Sequence, residues 1–278
     1  MLVYYIHHIT DSIRIDTIMR VVKKGTLATL ERLHPTRDNG SPAEVHDIPP
    51  QTLIVGARSS GYVQDYHVEP LVEQARTRHA VVAFIHPVGH HLVRGRPLAH
   101  VWPAPENDAT AQRNWDTWVD QAVSITDERS IKRDMAFGVR QLVDIAIKAV
   151  GPSINDPYTS VQAIQHLSVI LVEIAGRTLD AGVDTGSNAQ VVIPVSSFDS
   201  YLHLVCSHIR QEAANRPRVM VALLRLLEDV MASTTNSRRQ TAIVEEAELV
   251  VEEARHRITQ AADLEELLRV ADSLRKHS

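Results

Sequence analysis

Residues 134–158, DMAFGVRQLVDIAIKAVGPSINDPY, decide how this chain is read. Met135, Val139, Leu142, Val143, Ala146 and Val150 recur at three- and four-residue spacings, which places them on one face of a helix. Gly151-Pro152 stops that helix, because proline lacks an N–H and restricts the residue before it. Asn155-Asp156-Pro157 starts another: an acidic side chain caps the free N–H groups, and proline suits the first helical position. Polar side chains gather around the break. Arg140, Gln141 and Asp144 fall near one another on the first helix, and Asp144 precedes Lys148 by four residues, the favourable order for a helical ion pair. With Asn155 and Asp156 they form the candidate ligand-binding set. Cationic donors near a helix N-terminus suit a small anion, because exposed N–H groups point outward there. A solvated polar stripe and a plain N-cap account for the same residues, so both readings stand at this level.

Downstream of Glu106 the chain reads as helical, over 109–124, 131–150, 157–180, 198–214, 217–233, 237–260 and 263–276. Asn215-Arg216-Pro217 marks one further start. QVVIP at 190–194 is a short strand that can join a sheet. Residues 180–189, DAGVDTGSNA, read as a surface loop. Upstream the character changes. TLIVGA and YVQDY are strand-like, HVEPLVEQARTRH is a short helix, and AVVAFIH is a buried-type strand. Gly89 and Gly95 bracket another short strand before Leu98–Trp102. Residues 35–50, rich in Pro, Gly, Asn and Asp, form a linker, and residues 1–34 one long helix. The fold class is therefore α+β. A long N-terminal helix (1–34) precedes a small β-rich, barrel-like module with one helix (51–103). A helical domain (106–278) follows, with one strand near 190–194.

Composition narrows the function more by exclusion than by assignment. A net charge of −5 argues against general nucleic-acid binding, which favours a basic face. The single Cys206 excludes an intrachain disulfide framework and any CxxC metal site. Aromatic residues make up only 4% of 278, so the core must be built from aliphatic side chains, as packed helices allow. Gly89–Val101 resembles the closing hairpins of lipoyl and biotinyl carriers. Such carriers need a lysine at a hairpin tip, and no lysine lies in the β segment. The 15 histidines show no HExxH spacing. His90 and His91 are adjacent on a strand and point to opposite faces, while His7 and His8 diverge by about 100° on a helix. No nucleophile elbow, P-loop or GxGxxG is present, so no catalytic residue, metal or cofactor is assigned. No segment reads as a signal peptide or reaches a membrane span of about 20 apolar residues. MLVYYIHHI, followed by Arg20, Lys23 and Lys24, fits either the start of an amphipathic helix or the cytoplasmic end of a membrane helix.

YYIHHITDSIRI, GYVQ, the G-x-P-L-A-x-VWP element, FGVRQLVDIAIKAVGPSINDPYTS and QVVIP together resemble the soluble part of bacterial predicted membrane proteins, the family called domain of unknown function 2254. The similarity covers most of residues 1–270. It implies several membrane helices upstream of the YIHHI element, so Met1–Ile9 becomes the stub of a membrane helix. The full-length protein would then sit in the inner membrane, with this part facing the cytoplasm. Gly151 departs from the serine expected before the proline. The resemblance supplies no activity. The expected role is a homo-oligomeric sensing, gating or scaffolding domain, with a membrane-associated enzyme or metal-dependent hydrolase at the helix break as the alternative.

Overall fold

The structure, a computed structural model, describes residues 2–35, 49–104, 109–179 and 191–275. The expected linker over 35–50 and loop over 180–189 fall almost wholly outside the described residues, as do the side chains of Met1–Ile9. Along the chain the elements are α1 (Leu2–Leu33), β1 (Leu53–Gly56), β2 (Gly61–Tyr66), α2 (Glu69–Thr77), β3 (Val81–Phe84), β4 (His91–Leu92), β5 (Pro97–Trp102), α3 (Ala109–Gln121) and β6 (Val123–Thr126). Then follow α4 (Met135–Val150), α5 (Pro157–Ala175), β7 (Val191–Val192), α6 (Phe198–Ala213), α7 (Pro217–Ala232), α8 (Ser237–Arg257) and α9 (Ala261–Arg275). They divide into two compact units. One comprises Met1–Gly40, Met135–Thr178 and Ser197–Ser278; the other comprises Ser41–Asp134 and Leu179–Ser196.

The sheet-bearing unit holds two separate sheets. One has the order β1-β5-β3-β7, antiparallel except for the parallel β3–β7 pair; the other has the antiparallel order β4-β2-β6. The expected barrel does not form. Closure requires every edge strand to find a partner, whereas β1, β7, β4 and β6 each end a sheet. Val55, Val63, Val82, Leu98 and Val101 of the strands pack with Leu71 of α2 and Trp115 and Val119 of α3. Residues 51–103 carry one helix, as expected, and α3, expected as a helix of the helical domain, belongs to this unit. Residues 123–124, expected as the end of a helix over 109–124, belong instead to strand β6, whose Ile125 pairs with Val63 of β2. The reason lies in side-chain shape: Val123, Ile125 and Thr126 are β-branched and fit a pleated surface better than a helix.

The helical unit is organised around α5. Ala163, Ile164, Leu167, Ile170, Leu171 and Ile174 are all buried, so this helix is enclosed along most of its length. Each fully buried Leu or Ile contributes about 1.5–3 kcal/mol. α4 presents to the core the face expected from its spacing, Met135 through Val150. A buried helix end cannot leave its carbonyls to water. At the C-terminal end of α5, Arg239 of α8 donates to Ala175 O at 2.5 Å and to Arg177 O at 2.8 Å. Burial pulls its guanidinium pKa down, and Asp199 acts in the opposite sense. Arg177, 2% exposed, donates to His34 O at 2.6 Å and to Glu31 Oε2 at 2.5 Å, tying the end of α1 to the end of α5.

α1 packs on α4 and α5 through Met19, Val22, Thr26, Thr29 and Leu30. None of the described helices is long and apolar enough to cross a membrane. The approach of α1 to α4 is close at Gly138, where an added Cβ would lie 2.0 Å from Thr26 Oγ1 and 3.1 Å from Thr26 Cβ. Rotating the hydroxyl away would leave the second overlap in place.

Two outcomes follow from this packing. Gly138→Ala gains about 1 kcal/mol of helix propensity but overpacks the contact by about 1–3 kcal/mol. The urea midpoint should therefore fall, and Thr26→Ala in the same chain should recover part of the loss. Arg239→Ala leaves two buried carbonyls without their donor and should cost about 2–4 kcal/mol, read from the same denaturation curves.

Candidate functional site

The break between α4 and α5 is built from backbone bonds. Gly151 N–H donates to Lys148 O at 3.2 Å, Asn155 N–H to Gly151 O at 2.9 Å, and Asp156 N–H to Ala149 O at 2.7 Å. Asn155 turns the chain with φ +49°, in the left-handed region that asparagine tolerates better than most residues. Asp156 then caps α5. Its Oδ1 accepts from Tyr158 N–H at 3.1 Å and Thr159 N–H at 3.2 Å, and its Oδ2 accepts from the Thr159 hydroxyl at 2.6 Å. Both carboxylate oxygens are thus engaged by the helix they start.

A cleft of about 590 Å³ opens beside this turn. Its walls are the N-terminal parts of α5, α7 and α9. Asn155, Asp156 and Tyr158 line one side; α7 contributes Arg218 and Arg225, and α9 contributes Asp263 and Glu266. Among the described residues these two arginines and two acids make no hydrogen bond or ion pair with one another. Three helix N-termini around one opening favour negative charge, and Arg218 and Arg225 add to that on the α7 wall. Asp263 and Glu266 oppose it from α9. Such a cleft can bracket a small molecule that offers an anionic group to α7.

Of the five residues singled out from the sequence, Asn155 and Asp156 line the cleft, while Arg140, Gln141 and Asp144 do not. Arg140 Nε donates to Asp144 Oδ1 at 2.8 Å, and Arg140 Nη1 lies 3.5 Å from His208 Nε2 of α6. The ion pair made by Asp144 is therefore with Arg140 rather than with the expected Lys148, which is exposed. Gln141 Oε1 is buried with no hydrogen-bond partner among the described residues. Sequence reasoning missed Arg218, Arg225, Asp263 and Glu266. A signal was present: Arg218 and Arg225 are seven residues apart, hence on one face of α7.

Among the described residues, no group of three or more His, Cys, Asp or Glu side chains is placed to hold a metal ion. The sheet-bearing unit does gather histidines. His86 and His90 stack with centroids 4.0 Å apart and planes at 10°, in a groove of about 410 Å³ that His91 also lines. Stacked imidazoles aim their ring nitrogens along parallel planes, which does not converge on one ion. Burial, then the neighbouring His86 and His91, pull the His90 pKa below the usual imidazole range. Cys206 is fully buried, and burial first, then Glu246, push its thiol pKa well up, so it is not a poised nucleophile.

The model of the family described as "Predicted membrane protein (DUF2254)" matches residues 1–229. Two curated relatives are the uncharacterized proteins Rv1290c of Mycobacterium tuberculosis and Mb1321c of Mycobacterium bovis. Each is 32% identical over 266 residues, covering 94% of this chain and 51% of the relative. The chain thus spans about half the length of the curated relatives it matches. No solved structure matches it.

The capping geometry sets an expectation for Asp156. Asp156→Ala should cost about 1–2 kcal/mol of stability, and Asp156→Asn should keep most of it, because an amide oxygen can accept the same two N–H bonds. Thermal unfolding of the two variants checks the difference.

Proposed function

The chain belongs to the family of predicted membrane proteins designated DUF2254, and from that premise we propose that it is a sensing domain of a membrane protein. In this reading the domain faces the cytoplasm, works as a homo-oligomer, and passes a ligand-dependent change to the membrane part through α1. The observation that carries the reading is the seating of α1. It lies along α4 and α5 with Gly138 and Thr26 in close approach, and Arg177 bonds its last turn to the end of α5. A helix held at both a wedge and a tether moves with its neighbours rather than past them. The N-terminal end of that same α5 forms one wall of the cleft. Occupancy of the cleft and the position of α1 are therefore linked through one rigid element.

The ligand proposed for the cleft is a small molecule with an anionic group met by Arg218 and Arg225. A catalytic role has less support. The carboxylate of Asp156 is used as a cap, and Asp144 is paired with Arg140 on a half-exposed helix face.

Thermal-shift screening against phosphates, nucleotides, carboxylates and amino acids tests the proposal, since a ligand that binds the folded state must raise its melting temperature by mass action. At least one compound should raise the midpoint of the wild-type chain, and Arg225→Ala should abolish that rise. Light scattering of the same sample should give a multiple of the chain mass. A monomer with no ligand response would overturn the sensing role.

A further inference from the structure

The two ends of the helical unit are chemically different. The direction of α1 follows from two points along α5. Arg177 bonds to Glu31, 146 positions earlier. His166 is pulled below its usual range by burial and then by Lys23, with Asp16 opposing and Arg20 adding, so its α1 neighbours sit at nearly the same offset. Two helices that keep one offset over eleven residues run side by side in the same direction. The first turn of α5 is then level with about residue 11 of α1. α1 continues past it toward Leu2 for roughly 14 Å at 1.5 Å per residue.

The α4–α5 turn therefore lies at the end of the unit from which α1 projects. That turn carries two of the most exposed large apolar side chains among the described residues, Ile154 at 57% and Tyr158 at 71%. They flank the Asn155-Asp156-Pro157 start on a backbone fixed by the bonds described above. An aliphatic and an aromatic side chain on a rigid tip are the side-chain types that settle at a membrane–water interface. The opposite end of the unit has a different character. There Arg239 and Arg177 close the ends of α5 and α1, and α8 begins with Ser237-Arg238.

We propose that the Ile154–Tyr158 turn is a membrane-contacting tip, in which both side chains enter the interfacial layer of the bilayer while α1 leads toward it. This rests on the reading of the chain as part of a membrane protein. Arg218 and Arg225 in the cleft that Ile154 and Tyr158 also line are offset by Asp263 and Glu266, and the Asp156 carboxylate is occupied by its helix. The contact is accordingly apolar. It does not depend on anionic lipid and persists at high salt, where exposed charges are screened.

The test uses the full chain with one reporter at the tip. Cys206 is buried, so Ser153→Cys supplies the only accessible thiol for an environment-sensitive fluorophore. Ser237→Cys, exposed at the far end, is the control. On adding phosphatidylcholine vesicles, with or without phosphatidylglycerol, the label at 153 should shift to the blue and be quenched by a lipid-phase quencher, while the label at 237 should not respond. Replacing Ile154 and Tyr158 by serine should weaken vesicle partition by about tenfold or more, given two apolar side chains withdrawn from lipid. Vesicle binding with an unchanged signal at 153 would overturn the tip and leave the membrane reading standing, because another part of the chain would then hold the lipid. Absence of vesicle binding would also overturn the tip, whereas the sensing role is decided by ligand response in lipid-free solution. A blue shift at 153 that grows with protein concentration without vesicles would assign the turn to a second copy of the chain instead.

Discussion

A helix enclosed along its length depends on how the polar groups at its ends are satisfied, and α5 is that helix here. Its interior positions are enclosed by α1, α4, α6 and α7, its C-terminal carbonyls are buried, and its first turn faces an open cleft. The N-terminal end is closed by Asp156, which accepts two backbone N–H bonds and one hydroxyl bond. The C-terminal end is closed by Arg239, a cation whose position also suits the negative end of the helix. Burial of a guanidinium is unfavourable unless it is hydrogen-bonded, and carbonyls at a buried helix end are unfavourable unless they have donors. Each deficiency removes the other. The position of α8 relative to α5, and through Arg177 that of α1, follows from this exchange.

How much of this was legible in the sequence depends on how local the cause is. The apolar face of α4 was legible because one helical period fixes it, and Met135 through Val150 are buried as their spacing requires. The Asp156 cap was legible because it acts within three residues. Strand β6 was not: four residues directly after α3 are too few to show a period, and only pairing with β2 makes them a strand. Arg239 was also invisible. It stands in the run SRRQ, which reads as a solvated helix start, yet its partners lie 64 and 62 positions earlier. The same limit applies to the cleft. Asn155 and Asp156 announce themselves by their turn chemistry, whereas Arg218, Arg225, Asp263 and Glu266 become one site only when α7 and α9 begin beside α5.

The helix break illustrates why a dense polar motif need not be catalytic. General base chemistry requires a carboxylate or imidazole free to take a proton from a substrate within hydrogen-bond reach. Asp156 has both oxygens committed to α5, and Asp144 is committed to Arg140. Both carboxylates are engaged by neighbours at the two places where the sequence gathers most polarity. What the motif produces instead is a turn of fixed geometry, with Asn155 in the left-handed region and three successive backbone bonds holding it.

That fixed geometry bears on the energetics of any surface contact made by the turn. Binding through a mobile loop loses the entropy of ordering it, at about 1–2 kcal/mol per backbone residue. The 151–156 turn is already ordered by its own bonds and by the cap, so Ile154 and Tyr158 are held exposed without that cost at the moment of contact. Their exposure is itself unfavourable in water, and the backbone that enforces it is the one that starts the central helix of the unit. A substitution that relaxed the turn to hide these side chains would also uncap α5. The sequence therefore cannot lose the exposed pair by loosening the turn without weakening the core, because the NDP segment that starts α5 also holds its flanking side chains exposed.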